Sequence, residues 1–307
     1  MTMRPLAVVG NVNVDLIMGP TKPWPAPGTE VNVEHDELRP GGAAGNTALA
    51  WAGLGVPFVI ASSVGADAFG QWLRNALAPH SGSWSSSTRN TTISVGLTHP
   101  GDERTFFTTQ GHLVDLGWDG VAGQMDGLNG GLLLVCGSFL MDGLARDYPA
   151  LFDWAAKQGI DIALDPGWPV NGWTKAELAR ARGWLKHTRH LLVNEVEALA
   201  LSGKANLDTA LPALARLMPP DATVVVKAGN RGAFGLQGAT KAQAAAPRVA
   251  VIDTIGAGDI FNAGYLLAIA EGENLPGALV AAVDLASRAI STAPRRYERT
   301  PRMVGVA

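Results

Sequence analysis

Short apolar runs alternate along this chain with segments of helical periodicity, and this alternation restricts the fold more than any other feature. The apolar runs are Leu6 to Gly10, Phe58 to Ser62, Leu132 to Cys136, Ile160 to Leu164, Leu191 to Val193 and Thr223 to Lys227. Short, nearly continuous apolar runs suit a sheet buried on both faces. Helical patterns lie between them near Thr47–Leu54, Ala68–Ala78, Leu144–Lys157, Lys175–Lys186, Glu195–Leu201 and Leu207–Leu217, with two more at Ile260–Ile269 and Leu275–Ile290. The order predicts an α/β fold, a doubly wound, mostly parallel sheet flanked by helices, with ligands at the carboxyl ends of its strands. Neither a linker nor an internal repeat interrupts it, so residues 1–307 read as one domain. Two segments break the rhythm. Glu30 to Glu34 alternates polar and apolar residues, and Thr92–Thr98 with Thr105–Thr109 reads as a hairpin turning at Pro100-Gly101-Asp102. They predict a small β-sheet lid assembled from about 16–38 and 90–112.

The chemistry is carried by Asp253-Thr254-Ile255-Gly256-Ala257-Gly258-Asp259, immediately before an apolar helix. Backbone N–H groups at a helix N-terminus lack intrahelical partners and face the positive end of the helix dipole, so they attract anions. Gly256, Ala257 and Gly258 expose such groups without bulky side chains, and Asp259 stands one step beyond as a base for a hydroxyl attacking a bound phosphoryl group. Gly-rich turns and first-turn acids also open helices of no special function. A second segment shifts the balance: Gly41-Gly42-Ala43-Ala44-Gly45-Asn46 again sets bare backbone at a helix start, with Asn46 able to donate and accept hydrogen bonds.

Together these two segments resemble the signatures of the ribokinase-like carbohydrate kinases, the PfkB family. The first runs Gly41, Gly42, Ala44, Asn46, Ala48, Gly55 and Gly65; the second runs Asp253, Thr254, Gly256, Ala257, Gly258, Asp259, Ala263 and Gly264. Two long patterns in the right order carry far more weight than one GxGxxG. The resemblance implies an ATP-dependent, Mg²⁺-requiring kinase that transfers the γ-phosphoryl group to a hydroxyl of a pentose, ketohexose or sugar acid, with a nucleoside as the alternative acceptor. Asp259 is then the general base, and the 256–258 backbone the anion hole.

Other residues take their expected roles from the same resemblance. Asp15 and Asn13, in Gly10-Asn11-Val12-Asn13-Val14-Asp15, match sugar-hydroxyl ligands together with Gly41, Gly42 and Asn46, although a strand-end aspartate also caps ordinary turns. Asn194 and Glu197 match an N-x-x-E pattern near the ATP phosphates, with Glu197 holding Mg²⁺ through water; an Asn with Glu three residues on is equally a helix-capping box. Lys227, Gly229 and Gly232 match the nucleotide loop, and Ser287, with Ala282 and Ala286, the wall beside adenine. Asp253 and Ile255 match a loop that in many relatives holds K⁺ or Na⁺, completed by Ser291–Arg296. Lid residues should choose the sugar, and His99, Arg104, Gln110 and His112 are the polar ones there.

The chain also departs from the pattern. Ala43 replaces a lysine of ribokinases proper, Gly137-Ser138-Phe139-Leu140-Met141 lacks their glutamate, and Ala293-Pro294-Arg295-Arg296 lacks the glycine of the closing loop. The first two weaken an assignment to ribose, and the third weakens one to a monovalent cation. A formal net charge of −3 with no basic run argues against nucleic acid or anionic membrane as partner. The one cysteine, Cys136, reads as a buried strand residue. The N-terminal segment enters a strand directly, without an apolar targeting core, and reads as cytoplasmic. Lid edge strands offer a route to a homodimer. A dinucleotide-dependent dehydrogenase would share the sheet, but Gly10-Asn11-Val12-Asn13 is no GxGxxG turn. A sugar- or nucleotide-binding regulator would keep the glycines without needing Asp259.

Overall fold

The computed structural model describes residues 2–298, apart from 23 and 102. In chain order its strands are β1 (Leu6–Val9), β2 (Asn13–Gly19), β3 (His35–Gly41), β4 (Val59–Ala61), β5 (Ser63–Gly65), β6 (Ser85–Ser87) and β7 (Ile93–Thr98). They continue with β8 (Arg104–Thr108), β9 (Leu132–Cys136), β10 (Asp161–Asp165), β11 (His190–Asn194), β12 (Thr223–Lys227), β13 (Ala233–Gln237) and β14 (Thr240–Ala244). The large sheet runs β14-β13-β12-β11-β10-β9-β1-β4. Every pair from β12 to β4 is parallel, and β13 and β14 close one edge antiparallel.

Alternate residues of the central strands feed two separate cores, as the period of a strand requires. Val8, Leu132 and Leu134 point to one face, under the helices Ala43–Gly53, Ala257–Ala270 and Leu275–Ile290. Ala7, Val9, Leu133 and Val135 point to the other, under Tyr148–Lys157, Lys175–Leu185, Glu195–Ser202 and Leu207–Ala215. Double coverage explains why those strands are continuously apolar. The doubly wound, mostly parallel sheet expected from the sequence is therefore the one observed. Cys136 is fully buried in this core.

A separate four-stranded sheet has the order β3-β2-β7-β8, and Arg39 and Arg104 link it to Asp253 and Thr254. Its β7–β8 hairpin matches the expected one, although Asp102 of the expected turn lies outside the described residues. Its other edge differs from expectation. Residues 30–34 form no strand; the pairing with β2 begins at His35 and runs from Gly19↔His35 to Asn13↔Gly41. Alternation at 30–34 has no covered face to serve, since Val31 is 46 % exposed, whereas β3 is held by backbone pairing rather than apolar content.

Two further differences have simple causes. The helix expected over Leu144–Lys157 is broken into Asp142–Arg146 and Tyr148–Lys157, because Pro149 lacks the N–H and crowds the preceding turn. The edge strand β14 is mostly exposed and polar, Thr-Lys-Ala-Gln-Ala, and so carries no apolar signal. No helix among the described residues is long and apolar enough to cross a membrane.

Candidate active site

The strands β1, β9, β10, β11 and β12 all end beside one crevice of about 1090 Å³. Asn11, Gly137, Asp165, Asn194 and Lys227 reach it from these strand ends, and Gly256, Ala257, Gly258 and Asp259 enter from the start of the helix Ala257–Ala270. This is where a parallel sheet presents its loops and where a helix N-terminus presents free N–H groups.

Gly256 adopts φ +75°, and a Cβ there would lie 2.7 Å from Asn46 Nδ2. Its absence lets Asn46 donate to Asp259 Oδ2 at 2.9 Å. The two glycine-rich helix starts thus meet at the carboxylate. Burial pushes the Asp259 carboxyl up to about 7, helped by the Asp165 charge and opposed by the Asn46 hydrogen bond and Lys227. Of the three N–H groups expected in the anion hole, Ala257 already donates to Thr254 O at 3.1 Å, because the left-handed residue at 256 closes a turn there. Gly256 and Gly258 N–H have no such partner among the described residues, so the expected hole contracts to these two.

Lys227 Nζ lies beneath this turn, 3.4 Å from where a Cβ on Gly258 would sit. It donates to Asp165 Oδ2 at 2.7 Å and Asn262 Oδ1 at 3.2 Å, while Asn262 Nδ2 donates to Asp165 Oδ2 at 2.6 Å. Burial would lower the lysine, but Asp165 and Glu197 outweigh it and the ammonium is held above its ordinary range. The lysine is therefore held against the start of the helix Ala257–Ala270. Asn194 and Glu197 form both bonds of a capping box, each at 2.9 Å, with Glu197 Oε2 taking the Asn194 N–H. Burial, then the Asp165 charge, raise Glu197 to about 7 against Lys227 and the Asn194 bonds. Gly229 and Ser287 also line the crevice. Gly232 lines it too, but its main constraint is structural, since a Cβ there would meet Ala244 O at 1.9 Å.

The expected sugar ligands form a buried chain beside the crevice. Asn11 Nδ2 donates to Asn13 Oδ1 at 3.0 Å, and Asn13 Nδ2 to Asp15 Oδ1 at 2.7 Å. Gly41 gives the Asp15 carboxylate its space, because a Cβ would lie 2.1 Å from it. Gly42 packs in the same way on Asn11 and Asn13. Burial raises Asp15 to about 6 despite the Arg39 charge and the Asn13 bond.

Several expectations need correction. Asp253 and Ile255 do not offer free oxygens to a monovalent cation. Asp253 Oδ2 accepts from Arg39 Nη1 at 2.6 Å and from Arg295 Nη2, Asp253 Oδ1 takes Ile255 N–H at 2.8 Å, and Ile255 O accepts from the same Arg295 Nη2. The residues present therefore do not fit K⁺ or Na⁺, because a guanidinium holds those oxygens. In the small sheet only Arg104 of the four polar residues reaches the site, through Thr254 Oγ1. His99 is buried between Thr21 O and Thr105 Oγ1, both at 3.0 Å. His112 is fully buried, takes the Thr92 N–H at 3.0 Å and is lowered by burial to about 4, so it stays neutral. Gln110 faces solvent.

A family model for the pfkB family of carbohydrate kinases matches residues 3–296. The chain belongs to this family. Solved structures share the fold over nearly all of both chains. An Arabidopsis thaliana ribokinase complexed with ribose and ATP is 22 % identical with a TM-score of 0.78, covering 95 % of this chain and 94 % of that one. A putative ribokinase II from E. coli is 19 % identical at 0.79, covering 94 % of each. An adenosine kinase from Sinorhizobium meliloti is 19 % identical at 0.77, covering 98 % and 97 %.

In this PfkB-family chain, sequence reasoning missed Asn262 and Arg39 as site residues, included Arg295 only within the Ser291–Arg296 segment, and gave Asp165 no role. Asn262 had a readable signal: it is a lone amide three residues after Asp259 on an otherwise apolar helix. Arg39 had none, since only the β2–β3 pairing carries it to Asp253.

Proposed function

We propose that the protein is an ATP-dependent sugar kinase with Asp259 as general base. The observation that carries this is a carboxylate raised to about 7, bonded to Asn46 and set beside two free N–H groups and the Lys227 ammonium. A base whose pKa lies near working pH removes a hydroxyl proton most effectively. The acceptor hydroxymethyl group lies between Asp15 and Asp259. As its proton passes to Asp259, the oxygen attacks the γ-phosphorus in line, the bond to the β,γ-bridging oxygen breaks, and ADP leaves. Gly256 and Gly258 N–H and Lys227 face the charge that develops on the transferring group.

Mg²⁺ entering with ATP fits the acidic side of the crevice: Glu197 keeps one oxygen outside its capping bond, and the Asp165 charge acts on the same carboxyl. It would shield the phosphate oxygens, held by Glu197 through water. Ala286 and Ser287 line the end of the crevice that would take adenine. The small sheet serves as the lid: Arg39 and Arg104 join it to the 253–254 turn, and its closure excludes water that would otherwise accept the phosphoryl group.

The test is acceptor-dependent ADP release over a panel of pentoses, ketohexoses, sugar acids and nucleosides, with Asp259→Asn as control. One strong acceptor, lost in the variant, is the expected result. ATP binding with no turnover on any acceptor would instead favour a non-catalytic binding protein.

A further inference from the structure

Arg295 follows the helix Leu275–Ile290 in a loop that folds back on the 252–255 segment. Ile252 N–H and Asp253 N–H both donate to Ile290 O, at 2.8 and 3.2 Å, clamping that segment to the helix end. Thr292 Oγ1 donates to Arg288 O at 3.0 Å and accepts from Arg296 N–H at 2.9 Å, which turns the loop so that Arg295 points inward. Its side chain is 14 % exposed. One nitrogen, Nη2, bridges the Asp253 carboxylate and the Ile255 carbonyl, the two oxygens that a monovalent cation would need.

The carbonyl it holds belongs to the same peptide unit as the Gly256 N–H. Drawing electron density toward Ile255 O makes that N–H a stronger donor, since hydrogen-bonded groups polarise one another. Arg39 lies on the other side of Asp253, so two guanidinium groups share one carboxylate, and Arg39 also meets the more exposed Glu37 at 3.3 Å. A free cation on those oxygens would stand against both. A guanidinium is charged at every working pH and is tethered, so its charge does not depend on the salt in the medium.

We propose that the Arg295 guanidinium replaces a monovalent cation in this protein, positioning the Asp253–Gly256 turn and polarising the Ile255–Gly256 peptide, so that activity needs neither K⁺ nor Na⁺. The role in turnover rests on the kinase reading above; the occupancy of the site does not.

The experiment compares the wild type with Arg295→Met and Arg295→Lys, in KCl and in N-methylglucamine chloride at equal ionic strength, reading kcat, sugar KM and Tm, and adds Rb⁺ to crystals to locate a cation by anomalous scattering. The expected wild type changes kcat by less than about twofold between the salts and shows no Rb⁺ at Asp253 and Ile255. Arg295→Met loses about tenfold or more in kcat without K⁺, with sugar KM little changed, and regains most of it with K⁺ as Rb⁺ appears between those oxygens. Arg295→Lys keeps salt-independent turnover. Rb⁺ on these oxygens in the wild type, severalfold K⁺ stimulation of the wild type, or an undiminished kcat for Arg295→Met in N-methylglucamine would each overturn the proposal. If Arg295→Met does not fold, the wild-type Rb⁺ map and the Arg295→Lys salt profile decide. If no acceptor is ever phosphorylated, the kinase reading fails while the Rb⁺ map and the K⁺ dependence of Tm still answer for Arg295.

Discussion

Asn46 and Asp259 are joined by a 2.9 Å hydrogen bond across 213 residues of chain. Thr47 Oγ1 to Asp259 O at 3.3 Å and Trp51 Nε1 to Ala263 O at 3.0 Å continue the contact along the two helices. The carboxylate is therefore aimed by a neighbouring helix rather than by its own. Asn46→Ala removes a donor that favours the charged form, so the Asp259 pKa rises further. The acid limb of the kcat/KM profile, expected near pH 7, moves to higher pH. An unmoved limb would assign it to another group.

Asp259→Asn should lower kcat by about 10²–10⁴-fold, the usual worth of a positioned general base. Its stability effect has the opposite sign at alkaline pH. A carboxyl raised from 3.8 to about 7 on folding adds stability that is complete below 3.8 and is lost as pH rises through about 7. The variant carries no such loss, so its Tm relative to wild type should climb between about pH 4 and 7 and stay level above. Thermal melts across that range check it.

Gly256→Ala forces a side chain to φ +75° and against Asn46. A left-handed non-glycine residue costs about 1–2 kcal/mol, and displacing Asn46 should also lower kcat by about tenfold or more. Gly28 is the control, because it has φ +82° with open space around it. Gly28→Ala should lose similar backbone stability and keep kcat.

Lys227→Met leaves Asp165 buried beside Glu197 without its counter-charge. Breaking a buried pair costs about 3–5 kcal/mol, and a urea titration should show a loss of that order. Lys227→Met with Asp165→Asn should recover part of it. A single variant as stable as wild type would mean the network relaxes around the gap.

The sheet was readable because strands covered on both faces are apolar along their middle: Leu132–Cys136 and Thr223–Lys227 match strand for strand. Segments held by other means were not. β3 is paired through its backbone, β14 lies exposed at an edge, and Pro149 divides a helix whose apolar periodicity runs straight through it. Within the site, Asp259, Asn46 and the Gly256–Gly258 turn were legible because bare backbone at a helix start needs small residues consecutive in the chain. Lys227 was legible as a strand-end lysine, but its partners Asp165 and Asn262 were not.

The sequence alone determined the layer order of the fold and the glycine-rich helix starts, and it singled out Asp259, since these depend on residue type and local spacing. Only the tertiary structure decided which charges face one another. It brought Asp165 beside Lys227, buried His99 and His112 away from the crevice, and set Arg39 and Arg295 on Asp253. Long-range ion pairs carry no period and no fixed spacing. They follow from which loops the strands bring to the same end of the sheet, and that is where a site expected to hold a metal cation received an arginine.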